Sequence, residues 1–240
     1  MTSFTSPVLT GVRRLAGAGD RVVLVTRQTG PGPGLRAKRV TTLGLDGRPI
    51  GPLDRLVFGR LRSISVSGDR LYVAGRVALD PEARHCPVLA LSQSTGTPID
   101  GFRCRPRDDV RGASRVLGFP GGALLAPWRD GPTDQLLRLR LHDGAAVRDF
   151  DARLPVGRLK VVGERIFSLT AASFAAADLG TGAPLPIEAP RVPQAPLRPF
   201  RGDLLAHGDI IAFTGIFDDR GEDSPAVRRT AYLAGWRFLP

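Results

Sequence analysis

The sequence is as informative for what it lacks as for what it holds. Its 240 residues contain no asparagine, one methionine, two cysteines, two tryptophans, two tyrosines and only two lysines, Lys38 and Lys160. No apolar run approaches the ~18–20 residues that a membrane-spanning helix requires. The opening MTSFTSPVLTGVRR has no basic-then-apolar order, so no secretory signal is expected, which taken alone points to the cytoplasm and leaves the location open. There is no G-x-x-x-x-G-K-[ST] pattern, which excludes a phosphate-cradling P-loop of that type. The formal charge of +11 is almost entirely arginine. GC-rich coding produces such a composition without selection for a basic surface. The functional reading is a cationic surface that attracts an anionic ligand or an acidic partner. The arginines are spread along the chain with few aromatics among them, which argues against nucleic acid as the partner.

Glycine and proline are abundant, at 29 and 21. That favours many turns over long helices. A chain of this length buries roughly 70–75% of its unfolded surface, enough for a core without staples. Either one large all-β domain or two small domains fit the length. The stretch Arg60–Phe102 shows which organisation to expect. It holds an apolar segment, a Gly68-Asp69 turn, a second segment LYVAG from Leu71, then a further pair of segments around Thr95-Gly96.

Four other stretches are weaker copies of its first hairpin, LRSISVSGDRLYVA from Leu61: VRRLAGAGDRVVLV from Val12, SRVLGFPGGALLAP from Ser114, GRLKVVGERIFSL from Gly157 and GDLLAHGDIIAFT from Gly202. Their turn pairs are Gly19-Asp20, Gly68-Asp69, Gly121-Gly122, Gly163-Glu164 and Gly208-Asp209. Glycine tolerates the positive φ of tight hairpins, so its recurrence has a backbone cause. A second hairpin follows in four of the copies, with turns at Asp46-Gly47, Thr95-Gly96, Asp143-Gly144 and Thr181-Gly182. Each repeat is then four short strands, with a period of 42–53 residues between equivalent turns. That is the signature of a β-propeller blade. Face-to-face stacking of blades accounts for strands that are apolar on both faces.

The expected fold is all-β: a single β-propeller over 1–240 with five four-stranded blades at about 9–58, 59–110, 111–156, 157–200 and 201–240 plus 1–8. The last repeat lacks a fourth strand. Phe4 stands where Phe102 and Phe150 stand before the next repeat, so the N-terminal segment would supply that strand and close the ring. The alternative is a piece of a longer propeller. Three segments fall outside the repeat: a Gly/Pro loop at Gln28–Lys38, a proline-rich linker at Glu188–Phe200 and an acidic loop at Phe217–Pro225.

The unit VSGDRLYVAGRV…PVLALSQSTGTPIDGF resembles the bacterial delta-60-repeat β-propeller family and, more distantly, the quinoprotein-like propellers. The resemblance rests on the Gly-Asp turn, the Leu71–Gly75 segment, the Val88–Leu91 strand before a Thr-Gly turn, and the Ile-Asp-Gly-Phe ending at Phe102. It implies the fold and names no catalytic residue. Members of that family are often parts of extracytoplasmic proteins, which the absence of a signal sequence opposes. No quinone-binding motif accompanies the likeness, and no cofactor is expected.

Candidate chemistry is sparse. Cys86 and Cys104 flank the Thr95-Gly96 hairpin symmetrically, so they would sit almost opposite each other on adjacent strands. A disulfide there closes a loop of under twenty residues, worth about 3 kcal/mol in the chain-entropy model. It would indicate an oxidising, extracytoplasmic compartment; two reduced thiols are the other reading. His85, beside Cys86, has no third partner in sequence for a catalytic cysteine. His85, His142 and His207 fall in different repeats, two of them at turns, and do not read as a metal trio. Asp80, Glu82, Asp108, Asp109, Asp130, Asp134, Asp218 and Asp219 would border one face of a propeller, where Asp80, Asp108 and Asp109 are weak candidates for Ca²⁺ or another hard cation. Solvated loop charges are the plain reading.

A basic set is sharper. Arg13, Arg62 and Arg115 enter the innermost strands at matching positions of the first three copies, with Arg158 and Lys160 nearby in the fourth and Gly202 breaking the pattern in the fifth. Together they would ring the channel mouth, and the guanidinium fork binds carboxylate or phosphate bidentately. The plain reading has them pairing with acidic loops. The leading functional expectation is a non-catalytic binding module for an anionic small molecule or a protein partner. The alternative is an enzyme that uses the channel as its pocket, a metal-dependent hydrolase or a cyclase or isomerase, since propellers host many chemistries.

Overall fold

A computed structural model describes residues 11–29, 36–99, 112–128, 135–155, 157–170 and 174–186, and the backbone of 203–207, 210–219 and 228–237. All regular elements among the described residues are strands. In chain order they are β1 (Val12–Ala18), β2 (Arg21–Thr29), β3 (Arg36–Gly44), β4 (Pro49–Ser67), β5 (Arg70–Ala78), β6 (Cys86–Ser92), β7 (Gly112–Phe119), β8 (Gly122–Trp128), β9 (Gln135–Arg140), β10 (Ala152–Arg153), β11 (Arg158–Val162), β12 (Arg165–Leu169), β13 (Phe174–Asp178), β14 (Pro184–Leu185), β15 (Asp203–His207), β16 (Ile210–Asp219) and β17 (Arg228–Arg237). Every strand pairing is antiparallel.

The chain divides into two compact units, one of residues 1–133 and 137–148 and the other of 134–136 and 149–240. In the first, β1 to β6 hydrogen-bond in sequence order as one six-stranded sheet. β4 is the reason: it is a continuous strand of 19 residues where two short strands were expected. Its first half pairs with β3 as far as Ala37↔Phe58, and its second half pairs with β5 from Phe58↔Ala78 onward. The change of partner falls at Gly59, whose φ is +89°. A Cβ there would lie 2.3 Å from the Arg76 carbonyl oxygen and 2.8 Å from the His85 ring, so only glycine fits.

β5 shows how the first unit is packed. Leu71, Val73 and Val77 face one cluster with Val23, Val25, Val40, Leu53 and Val57. Tyr72 and Ala74 face the other way, into a cluster with Val116, Leu125, Leu137 and Leu139 of β7, β8 and β9. Both faces of the strand are therefore buried, and alternation along it feeds two layers. Each fully buried Leu or Val contributes about 1.5–3 kcal/mol relative to exposure.

The second unit contains Gln135 and Leu136, which pair with β10, the sheet β11-β12-β13-β14, and the three strands β15-β16-β17. Ile166, Phe167 and Leu169 are buried in β12, and Phe167 stacks on Phe174 at 6.0 Å between ring centroids.

A turn geometry recurs in both units. The Gly96 N–H donates to the Ser92 carbonyl, Gly144 to Arg140 and Gly182 to Asp178, at 2.9–3.0 Å. These glycines have φ of +68°, +64° and +82°. Two of them also touch an outer strand of the preceding repeat: a Cβ on Gly96 would meet the Pro52 oxygen at 2.6 Å, and one on Gly182 the Ala152 nitrogen at 2.5 Å.

Three expectations change in detail. The third first-hairpin turn lies at Pro120-Gly121, with Gly122 already paired to Phe119 in the strand. Strands β2 and β3 run to Thr29 and back from Arg36, so the Gln28–Lys38 loop is shorter than read. Phe217–Asp219 belong to β16 rather than to a loop. The N-terminal closing segment, the Glu188–Phe200 linker and the Gly208-Asp209 turn lie outside the described residues.

Candidate anion-binding site

In the first unit the hairpin turns 19–20, 45–47, 68–69, 93–96, 120–121 and 141–144 lie at one end of the strands, because β4 folds back at Gly59: Pro52 near its start lies beside Gly96, while Gly68 and Asp69 just after its end accept hydrogen bonds from Gln93 and Ser94 of the same turn. The opposite end holds the start of β1, the partner change in β4 and the loop from β5 to β6.

The turn end carries carboxylates, and each has a local task. Asp69 accepts from the Ser92 hydroxyl at 2.6 Å and from the backbone N–H and hydroxyl of Ser94 at 2.8 and 3.0 Å. Partial burial would push its pKa up, but those donors outweigh burial and hold it below the usual carboxylate value. Asp143 accepts the Ala145 N–H, which with Arg140 lowers its pKa. Asp20 pairs with Arg21, and Asp46 accepts the Arg48 N–H. These are turn-stabilising bonds.

The opposite end is basic. Each inner strand there carries a β-bulge: the register slips between Val12 and Arg14, between Leu61 and Ser63, and between Ala113 and Arg115. The extra residues are Arg13, Arg62 and Ser114. Arg115 thus lies one position beyond the Arg13 and Arg62 level, level with Arg14 and Ser63, because the third turn is displaced by one residue. Arg13 and Arg62 are exposed, and Arg115 is half-buried. The Arg14 and Ser63 level is used for bridging: Arg14 Nε donates to the Arg62 carbonyl at 3.0 Å and Ser63 Oγ to the Val116 carbonyl at 3.4 Å. Arg158 and Lys160 lie on β11 in the other compact unit, exposed and half-buried respectively.

Sequence comparison missed part of this end. Arg60 and Arg76 are directly opposite across β4 and β5, and both are exposed. Arg27 and Arg84 are exposed there too. Among the described residues, no carboxylate lies within ion-pairing distance of Arg13, Arg14, Arg27, Arg60, Arg76 or Arg84. The signal available in sequence was position: Arg27 and Arg76 each stand six residues after the first residue of a second strand.

The remaining candidates are dispersed. Asp80 is exposed in the β5–β6 loop, where its side chain accepts the Glu82 N–H at 2.9 Å. Asp108, Asp109, Asp130 and Asp134 lie outside the described residues, and only the backbone of Asp218 and Asp219 is described. No cluster of three His, Cys, Asp or Glu able to hold a metal occurs among the described residues. His85 packs against Gly59, and His142 is an exposed turn residue 3.6 Å from Asp143. Cys86 is buried in β6 and disulfide-bonded; Cys104 lies outside the described residues. No described helix is long and apolar enough to cross a membrane.

No protein-family model and no curated protein matches the sequence. Solved structures do. The chain is similar to the AfRom2 CNH domain, with a TM-score of 0.54 at 12% identity over 95% of this chain and 64% of that one. It therefore spans less than two thirds of that protein's length. It is also similar to AztD from Citrobacter koseri, with a TM-score of 0.50 at 11% identity over 95% of this chain and 75% of that one, and to the apo form of the same protein at the same score and identity. At such identities the likeness concerns fold alone: this is an all-β chain of curled antiparallel sheets with a β-propeller-like fold.

Proposed function

We propose that this chain is a non-catalytic binding module of the delta-60-repeat type. It has five blades, the N-terminal segment closes the last of them, and the strand-start end takes an anionic group on a small molecule or a protein partner. Arg13, Arg62 and Arg115, with Arg158 and Lys160, are the residues assigned to it. The observation that carries this reading is the asymmetry of the first unit. Carboxylates at the turn end are engaged by turns and by Arg21 and Arg140, whereas Arg13 and Arg14 at the other end meet no described carboxylate. A surface of that kind attracts carboxylate and phosphate.

The test is isothermal titration with citrate at low ionic strength. The wild-type chain is expected to bind, and the Arg13→Ala/Arg62→Ala variant to bind at least about tenfold more weakly, the loss of roughly one charged hydrogen bond. Equal affinity would remove these residues from the function. We also assign the bond of Cys86 to Cys104. Intact mass measured before and after reduction should differ by two hydrogen atoms, and an unchanged mass would refute the pairing.

A further inference from the structure

The geometry points to a second anion site, independent of the inner-strand arginines: Arg60 and Arg76 form a clamp for a phosphate group. The two side chains are direct cross-strand partners and so leave the same face of the sheet. Like charges placed directly opposite destabilise a sheet. Neither has a carboxylate partner among the described residues, and both are exposed.

The pairing is a product of two bulges. Without the slip between Leu61 and Ser63, the register Ser63↔Ala74 would continue to set Arg60 against Val77; the slip sets it against Arg76 instead. On its other side β5 slips between Ala74 and Val77, which leaves Gly75 and Arg76 opposite Pro87 alone. Pro87 has no N–H to offer, so the ladder is interrupted where Arg76 projects. The peptide of Arg62 is held in turn by Arg14 Nε. Bulges of this kind re-aim side chains, and here two of them set Arg60 directly opposite Arg76.

The fold does not demand the pair. At the equivalent place in the first repeat, the Arg27 N–H bonds to the carbonyl of Gly11, and a Cβ on Gly11 would lie 3.6 Å from that of Arg27. In the third repeat Gly112 stands opposite Trp128. The same backbone thus accepts glycine against arginine or tryptophan, and of these three repeats only the second opposes two cations. Two planar donors on one face suit the oxygens of a tetrahedral dianion, which would cancel the repulsion it finds.

The experiment is thermal unfolding of the full chain at low ionic strength, with added inorganic phosphate, malonate or sodium chloride at matched ionic strength. Phosphate should raise the midpoint by about 2–4 °C over chloride, the shift expected for binding well above its dissociation constant in a chain of this size. In the Arg13→Ala/Arg62→Ala background, where the first site no longer contributes, Arg76→Gln and Arg60→Gln should abolish that increment. Without added anion, each variant should unfold at the wild-type temperature or about 1–2 °C higher, because repulsion is removed. Arg84→Gln, in the adjacent loop, should keep the increment, as should the Arg13→Ala/Arg62→Ala variant. In the Arg13→Ala/Arg62→Ala background, an increment that survives Arg76→Gln overturns the proposal, as does a malonate shift larger than that of phosphate. So does an Arg76→Gln chain that melts several degrees lower without anion, which would make Arg76 structural.

Discussion

The two ends of the strands in the first unit are built from the same repeat and treat charge in opposite ways. At the turn end, carboxylates stand beside backbone N–H groups that a tight turn leaves exposed, and the Asp69 side chain alone gathers three donors. Charge there is consumed by the fold. At the other end, Arg13 and Arg14 are exposed and meet no described carboxylate, and Arg14 bonds instead to the carbonyls of Arg13 and Arg62. Charge there is left over. The difference separates residues that hold the protein together from residues free to meet something else, and it does so without reference to any relative.

Substitutions should break this contrast in a definite order. The largest effect is expected for Gly96→Ala at the turn end. Its φ of +68° disfavours a side chain, and the new Cβ would sit 2.6 Å from the Pro52 oxygen. A loss of about 3 kcal/mol in urea unfolding follows from the backbone strain and the clash together. Next comes Asp69→Ala, which leaves the Ser94 N–H without its acceptor and should cost about 1–2 kcal/mol by the same measurement.

The pH dependence sharpens the contrast. Asp69 and Asp143 titrate below their ordinary values in the folded chain, so the stability they supply is fully present above the unfolded carboxylate pKa of about 4. It is lost as pH falls through their lower folded values. Denaturation followed from pH 5 downward should show this loss, and Asp69→Ala should flatten it. The smallest effects belong to the basic end: Arg13→Ala should change stability by no more than about 0.5 kcal/mol, the usual size for an exposed site. A large loss there would erase the contrast.

Much of the strand framework was legible from residues with backbone duties. Gly19, Gly68 and Gly163 lie at turns with positive φ where the repeat put them. The continuous apolar run Leu71–Ala74 fits the expectation of strands apolar on both faces, and it is buried on both. The candidate site was less legible, because its geometry depends on slips of a single residue. Aligning on Gly121-Gly122 set Arg115 level with Arg62, whereas the turn at Pro120-Gly121 moves it one position on. Arg60 and Arg76 are sixteen apart in sequence, and nothing in composition says that a bulge at Arg62 turns them into neighbours. The boundary expected between 58 and 59 falls inside β4, where the positive φ of Gly59 bends a strand that continues.

That unbroken strand has a kinetic corollary. Because β4 supplies hydrogen bonds to β3 on one side of Phe58 and to β5 on the other, opening the first repeat frays the second at their shared residue. Native-state amide exchange should therefore find the amides of β3 and β5 released in a single cooperative event, whereas two independently built repeats would exchange in separate steps.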